Sequence, residues 1–184
     1  MVLILSIVLG LVIGLLAGGR LERLGQVHIT WAPLAIVGLA VQFALFSPPV
    51  VDWIGDLGAA GPIVYVGSTA LVLAALLRNL RQPGLALLAL GAALNALVIL
   101  ANGGYMPVSP DALAAIGRLE PGGAYGNTVL ATSGTLLPWL GDIIPLPLPV
   151  PFRTVVSMGD LLIGAGAAVF LVRVMTRGQD SAAA

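Results

Sequence analysis

The sequence contains no cysteine and no lysine, and it has a single histidine, His28. The absence of cysteine excludes disulfides, thiolate metal sites, iron–sulfur clusters and a cysteine nucleophile. The absence of lysine excludes Schiff-base catalysis and the lysine of phosphate-binding loops. One histidine cannot by itself supply a multi-histidine zinc site or a bis-histidine haem site. The remaining chemistry belongs to carboxylates, amides, hydroxyls and arginine, and we expect no cofactor and no resident metal.

Charged residues are also scarce, at 9% of the chain, and eight basic residues balance eight acidic ones. Soluble domains carry roughly a quarter charged residues, whereas 59% of this chain is hydrophobic and its mean hydropathy is +1.06. Such a chain cannot cover itself with a surface that suits water. We therefore expect an integral membrane protein whose partner is the lipid bilayer. Because no basic cluster is present, we expect no nucleic-acid partner.

The apolar residues fall into segments that are long enough, or nearly so, to cross roughly 30 Å of hydrocarbon at about 1.5 Å per residue. None of these segments alternates polar and apolar residues, so strands are not expected in them. The sequence predicts an all-α bundle of about five transmembrane helices in one domain, residues 1–177, with a disordered cytoplasmic tail at 178–184. The predicted helices cover residues 2–18, 29–46, 61–77, 83–101 and 155–174.

The arginines predict the orientation of this bundle. With five spans, six of the eight arginines fall on one side of the membrane, which is the pattern of a cytoplasmic face. The N-terminus then lies outside and the C-terminus lies in the cytoplasm, with the protein in the bacterial inner membrane. These six residues are Arg20, Arg23, Arg78, Arg81, Arg173 and Arg177.

One long connection, residues 102–154, falls on the predicted outer side. It is rich in proline and glycine, and residues 143–152 contain too many prolines for a regular helix. The segment 121–140 is open to three interpretations: a loop, a re-entrant element or an extra helix. Because the connection is long and partly apolar, we expect it to pack on the bundle rather than to extend freely.

Glycines mark one face of the first predicted helix. Gly10, Gly14 and Gly18 recur every four residues, a spacing that lets a neighbouring backbone approach closely. Internal packing within the bundle is one explanation. A homo-oligomer or a partner-subunit interface through the same face is the other.

Polar side chains recur at a similar depth in every predicted span, toward the outer end. The inner halves of the third, fourth and fifth spans lack comparable groups, so a continuous polar path is not expected, which disfavours channels and alternating-access transporters. The pattern favours an outward-facing polar pocket, with simple interhelical hydrogen bonds as the alternative. We expect Asn95 to pair with Gln42, Ser68 or Thr69. The polar residues are Ser6, Gln42, Ser68, Thr69, Asn95, Ser157 and Asp160.

Two short motifs and a pair of aspartates carry the remaining candidate residues. Asn102-Gly103-Gly104 either ends a helix or brings backbone close to a ligand. Ser157-x-x-Asp160 matches a capping box. Alternatively, Asp160 has a functional role, because a carboxylate beside a bilayer is costly. In that case Arg153 is its nearest candidate partner in sequence. Asp142 and Asp160 could hold a hard cation or share acid–base work. The candidate catalytic residues are Asp142 and Asp160, and the candidate ligand-binding residues are Asn95, Asn102, Gly103, Gly104, Gln42 and Arg153.

With these motifs in order, the chain resembles an uncharacterised bacterial family of multi-pass membrane proteins, a domain of unknown function with N-G-G-x-M-P and G-D signatures. The motifs that carry the likeness are Asn102–Pro107, Leu140–Asp142 and Ser157–Asp160, and the likeness is sharpest from Asn95 to Gly164. The resemblance implies membrane location and supports the choice of motifs. It implies no activity and no cofactor.

Three functions remain open from the sequence. The leading one is a non-catalytic membrane protein whose outer pocket binds a small or lipid-like ligand or a partner subunit. The second is an outer-leaflet enzyme or cation site that uses Asp142 and Asp160. The third is a scaffold subunit held through the glycine face of Gly10, Gly14 and Gly18.

Overall fold

A computed structural model describes residues 2–45, 47, 60–119, 128–150 and 152–177, and these residues are mostly helical. The predicted end of the second span at Phe46, residues 120–127 of the connection and the tail 178–184 lie outside the described residues. The described α-helices are α1 (Val2–Leu16), α2 (Ala32–Leu45), α3 (Ala60–Arg78), α4 (Leu85–Ala101), α5 (Pro110–Ala115) and α6 (Met158–Thr176). The described strands are β1 (Met106–Val108), β2 (Thr128–Leu130), β3 (Ile144–Leu146) and β4 (Thr154–Val156).

Each predicted span overlaps one of the long helices, but the ends are shifted: α3 extends one residue beyond both ends of 61–77, and α6 ends two residues beyond 174. Among the described residues, α3 and α6 are long and apolar enough to cross a membrane, at 19 residues each, whereas α1, α2 and α4 are shorter apolar helices. The last helix begins at Met158 rather than at residue 155, because Thr154–Val156 forms a strand. Hydropathy alone could not separate this apolar strand from the helix that follows it.

Helix α6 lies at the centre of the packing. It contacts α1 on one side and α4 on another, while α3 packs on α4 and α2 packs on α3. A Cβ atom at Gly10 would lie 2.8 Å from the Cα of Ala168, and one at Gly14 would lie 2.8 Å from the Sδ of Met175. Gly10 and Gly14 therefore pack on α6 of the same chain, whereas Gly18 lies beyond the end of α1 with a positive φ of 76°. An oligomer or partner-subunit interface through this face stays a prediction, and it would have to displace α6.

The connection between α4 and α6 contains strands that the sequence did not indicate. Strands β1 and β2 pair in parallel, and β3 and β4 pair antiparallel. Each strand has three residues, which is too short for an alternating pattern to emerge. Within 121–140, the described residues 128–140 form β2 and a 3-10 helix, Pro138–Leu140, but no α-helix.

A small apolar core holds this connection together. It consists of buried side chains from β1, from α5 and its end, and from β4, with Leu130 packed against it. The connection is thus a folded cap whose strands fix the position of the residues before α6. The core residues are Val108, Ala112, Leu113, Ile116 and Val155.

Candidate functional site

Asn95 joins α4 to the beginning of α6 through its side-chain amide. Its Nδ2 donates to Oδ1 of Asp160 at 2.8 Å, and its Oδ1 accepts from the hydroxyl of Ser157 at 2.8 Å. Ser157 is fully buried. An amide in an apolar bundle has a cost unless it is hydrogen-bonded, and here both its ends are used.

Gly159 explains how the amide comes so close to α6. A Cβ atom at this position would collide with Oδ1 of Asn95, and one at Gly91 would collide with the carbonyl oxygen of Gly159. Gly91 and Asn95 lie one turn apart on the same face of α4. The glycine between Ser157 and Asp160 is therefore needed for the close approach of the two helices.

Ser157 and Asp160 also form the capping box that their spacing indicates. The hydroxyl of Ser157 accepts from the backbone N–H of Asp160 at 2.9 Å, and Oδ2 of Asp160 accepts from the backbone N–H of Ser157 at 3.2 Å. These contacts satisfy two N–H groups at the start of the helix. Each carboxylate oxygen of Asp160 thus accepts a hydrogen bond, one from Ser157 and one from Asn95.

The β3–β4 hairpin brings Asp142 to this end of α6. Ile144 pairs with Val156, and the N–H of Ile143 donates to the carbonyl oxygen of Val156 at 3.2 Å. The backbone of Asp142 is fixed on its other side by β1 and the residue after it, with hydrogen bonds of 2.8 Å to the carbonyl of Pro107 and from the N–H of Ser109. The hairpin register thus places Asp142 beside the residues that begin α6.

Gly141 makes this arrangement possible. A Cβ atom there would collide with the carbonyl oxygen of Pro107, which is the oxygen that accepts the N–H of Asp142. A larger residue would push the backbone away from β1. The glycine of the Leu-Gly-Asp motif therefore positions the aspartate that follows it.

The Asp142 carboxyl is the unusual group of the site. Its Oδ1 atom is buried and has no hydrogen-bond partner within the described part of the chain. Burial, and to a smaller extent the nearby charge of Asp160, together raise the pKa of this carboxyl from its ordinary value of 3.8 to about 8. At neutral pH most molecules therefore carry a proton on Asp142, which can donate a hydrogen bond as well as accept one.

The other candidate residues lie in separate interactions. Gln42 donates to Oγ1 of Thr69 at 3.0 Å, across α2 and α3. The expected pairing of Asn95 with Gln42, Ser68 or Thr69 is therefore wrong: the depths match, but Asn95 faces α6 whereas Gln42 faces α3. Thr69 in turn donates to the carbonyl oxygen of Tyr65.

Arg153 does not serve as the partner of Asp160 that the sequence suggested. Its Nη1 donates to the carbonyl oxygen of Ile116 at 2.8 Å, which ties β4 to the end of α5. The partners of Asp160 are Asn95 and Ser157 instead. A ligand-binding role for Arg153 stays a prediction.

Asn102 fastens the folded cap to the end of α4. Its Nδ2 donates to the carbonyls of Val98 at 2.8 Å and Leu136 at 2.9 Å, and its Oδ1 accepts from the N–H of Leu136 at 3.0 Å. Gly103 and Gly104 both have positive φ, and a Cβ at Gly104 would collide with Pro62. The Asn-Gly-Gly motif thus ends the helix and holds a distant loop. Its role in ligand binding stays a prediction.

The donor set gives little support to a metal centre. Among the described residues, no group of three or more His, Asp or Glu side chains lies close enough together to hold a metal ion. Asp160 already accepts hydrogen bonds from Ser157 and Asn95. The chemistry left over at this end of α6 therefore rests on the Asp142 carboxyl alone.

Sequence reasoning missed one buried amide, Asn79, just after α3. Its Oδ1 accepts from the N–H of Thr30 at 2.9 Å, and its Nδ2 donates to the carbonyls of Thr30 and Ala75 at 2.7 Å each. Asn79 is only 6% exposed. Asn79 lies between Arg78 and Arg81 in the connection between two predicted spans, and no signal in the sequence indicated this buried link.

The chain belongs to DUF5317, a family of unknown function, whose model matches residues 26–172. It is also similar to an uncharacterized protein of Thermotoga maritima, with 35% identity over 97 residues. That match covers 51% of this chain and 54% of the relative, so it spans about half the length of the relative. No solved structure matches the chain. Membership of an uncharacterised family is thus confirmed, whereas the multi-pass topology that the resemblance implied is not tested by these matches.

The link between Asn95 and Asp160 is open to a double-mutant cycle. We expect Asn95→Ala and Asp160→Ala to couple by roughly 0.6–1.7 kcal/mol, the range found for hydrogen bonds between helices in membranes. The free energy of unfolding in mixed detergent micelles measures this coupling. The control cycle pairs Asn95→Ala with Gln42→Ala, which we expect to be additive within about 0.5 kcal/mol. Equal coupling in both cycles would contradict the assigned partners.

The raised pKa of Asp142 predicts how stability depends on pH. Between about pH 4 and pH 8 the folded protein keeps this proton while the unfolded chain has lost it, so stability falls as the pH rises through this window. Above pH 8 both states are ionised and the group adds no further slope. Asp142→Asn should flatten the fall in melting temperature across this window. Asp111→Asn, which changes an exposed carboxylate in α5, should keep the wild-type slope; a slope that also survives in Asp142→Asn rules the assignment out.

Proposed function

We propose that this DUF5317 member is a membrane protein of about five spans that binds a small or lipid-like ligand at its outer side through Asp142. The protein lies in the bacterial inner membrane, with its N-terminus outside and its C-terminus in the cytoplasm. The proposal that α1, α2 and α4 also span rests on their apolar sequences, on the distribution of arginines and on the packing of the helices into one bundle.

Exposed apolar side chains support the membrane location. Leu16 is 83% exposed, Phe43 is 78% exposed and Ile63 is 73% exposed, and each lies on a different helix. A water-soluble protein rarely leaves large apolar surface uncovered on several helices at once. A lipid bilayer would cover these side chains without any further contact.

The ligand-binding proposal is carried by one observation, the buried Oδ1 of Asp142 without a hydrogen-bond partner. The other polar side chains at this end of α6, those of Asn95, Ser157 and Asp160, satisfy one another. A buried acceptor left unpaired costs roughly 1–3 kcal/mol, so an arrangement that keeps it indicates a group that completes it. In our proposal the ligand supplies that group.

The surroundings of Asp142 define the kind of ligand group. Asp160 lies close enough for its charge to raise the pKa of Asp142, so an anion is disfavoured. A hydroxyl, an amide or an ammonium group can donate to the unpaired Oδ1. We therefore propose a neutral or cationic ligand group with an N–H or O–H donor.

An outer-leaflet enzyme is the second candidate, and the pKa of Asp142 favours it. A carboxyl with a pKa of about 8 keeps its proton at neutral pH, as a general acid must. Asp160 is committed to Ser157 and Asn95, so Asp142 would be the acid and Asp160 would tune it. In the scaffold alternative, by contrast, neither carboxyl has a role.

The proposed topology is tested with introduced cysteines, since the chain has none of its own. Gly134→Cys and Gly25→Cys form a matched pair: at Gly134 a Cβ would meet only Thr132 Oγ1, at 3.8 Å, and at Gly25 nothing lies within 4 Å. On intact spheroplasts we expect a membrane-impermeant maleimide to label residue 134 and to label residue 25 only after permeabilisation. Labelling of both from outside, or of residue 25 alone, contradicts the topology.

Ligand binding is tested by native mass spectrometry of protein extracted in a mild detergent. We expect a bound species on the wild type and on Asp111→Asn, and an occupancy lower by about tenfold on Asp142→Leu, since the variant loses a hydrogen bond to a buried polar group. Asp142→Asn keeps the shape of the side chain and part of its hydrogen bonding, so its occupancy should lie between that of the wild type and that of Asp142→Leu. Equal occupancy in all four proteins rejects Asp142 as the ligand contact.

A further inference from the structure

A cavity lies beside the opposite end of α6, away from Asp142. Its volume is about 690 Å³, and it lies where the end of α1 meets the 3-10 helix Leu21–Gln26. Guanidinium groups, a carboxylate and leucine side chains all contribute to its wall. The lining residues are Leu15, Gly19, Arg20, Leu21, Glu22, Arg23 and Gln26.

The wall of this cavity is fixed to the last turn of α6. The carbonyl oxygen of Met175 accepts from the backbone N–H of Arg20 at 3.0 Å and from Nη1 of Arg23 at 2.7 Å. A Cβ at Gly19 would lie 2.7 Å from the Cβ of Met175, so the turn can approach this closely only with glycine. The last carbonyl groups of a helix lack hydrogen-bond partners within the helix. Here Arg20 and Arg23 supply two donors to one of them, the carbonyl of Met175.

The guanidinium group of Arg20 is the charged group of this cavity that the fold itself does not use. Its backbone N–H binds Met175, but within the described part of the chain its guanidinium has no hydrogen-bond partner, and the residue is exposed. Arg23 uses Nη1 on Met175 and keeps further N–H donors on its planar guanidinium. Against these two cations the wall contains one carboxylate, Glu22, so its net charge is positive.

The rest of the wall is apolar. Leu15 and Leu21 are each 50% exposed and line the cavity, and Leu16 beside it is 83% exposed. A free phosphate ion would leave these leucines uncovered. A phospholipid places an anionic group at the arginines and its acyl chains along the leucines.

We propose that this cavity binds the headgroup of an anionic phospholipid, with its phosphate on Arg20 and Arg23 and its chains on Leu15 and Leu21. The proposal rests on the membrane location of the proposed function but not on the Asp142 site, which lies at the other end of α6. Basic pockets between helices at a membrane surface are suited to such headgroups, because guanidinium binds phosphate with two parallel hydrogen bonds.

Two variants with opposite expected effects test the proposal. The purified full chain in a neutral detergent is titrated with short-chain phosphatidylglycerol, and binding is followed by native mass spectrometry and by melting temperature. We expect Arg20→Gln to weaken binding roughly fivefold, as for the loss of one arginine near a lipid surface. Glu22→Gln should strengthen binding, because it removes the one negative charge of the wall. Arg23 is left intact, since it also caps α6.

The matched control is Arg81→Gln, an exposed arginine on the same predicted side but outside the cavity. It should bind phosphatidylglycerol as the wild type does. The proposal is overturned if Arg81→Gln and Arg20→Gln weaken binding equally, or if Glu22→Gln weakens it. It is also overturned if phosphatidylcholine binds as tightly as phosphatidylglycerol, or if inorganic phosphate alone gives the same rise in melting temperature.

A further comparison separates this cavity from the Asp142 site. Asp142→Leu should keep the wild-type affinity for phosphatidylglycerol, because its change lies at the far end of α6. Loss of lipid binding in Arg20→Gln with normal occupancy of the outer ligand supports the lipid site independently. Loss of phosphatidylglycerol binding in Asp142→Leu but not in Arg20→Gln would move the lipid to the outer site and overturn the inference.

Discussion

The close contact between α4 and α6 at Gly91 and Gly159 is the constraint on which the site depends. Only without a Cβ at these positions can the two backbones approach so far that Asn95 reaches Ser157 and Asp160. The same amide then joins two helices and supports the first turn of one of them. The position of the β3–β4 hairpin depends on the same contact, because β4 leads directly into the capped first turn of α6. The environment of Asp142 therefore follows from a packing contact on another helix.

The sequence predicted the long helices because apolar length is a local property. It also predicted the capping box, since Ser157 and Asp160 are three residues apart in any helix. The partner of Asn95 was predicted wrongly for a physical reason. Counting residues from a helix end gives depth, but it does not give the direction in which a side chain points, and helix neighbours are set by the packing of the whole bundle. The three-residue strands were missed because their pairing is a property of the tertiary fold.

Several motif residues have structural explanations that limit where function can lie. Asn102 binds a loop 34 residues away, and Gly104 allows contact with Pro62. Hydrogen bonds join Ser157 and Asp160 to each other and to Asn95, and Gly159 allows Asn95 to come close. Hydrogen bonds among themselves leave these groups little capacity for a ligand. Asp142 differs, since its backbone is fixed by β1 while its carboxyl oxygen Oδ1 stays buried and unpaired. Of these motif residues, Asp142 is therefore the one with a group left for a ligand.

The two ends of α6 show how an apolar helix uses the few charged residues of this chain. At the first turn the N–H groups are met by Ser157 and Asp160, and at the last turn a carbonyl is met by Arg20 and Arg23. Both choices match the helix dipole, with an anion at the N-terminus and a cation at the C-terminus. Each end nevertheless retains a charged or titratable group beyond what capping requires, Asp142 at one and the Arg20 guanidinium at the other. A chain that is only 9% charged has few such groups to spare, so these two groups are where ligand binding is best sought.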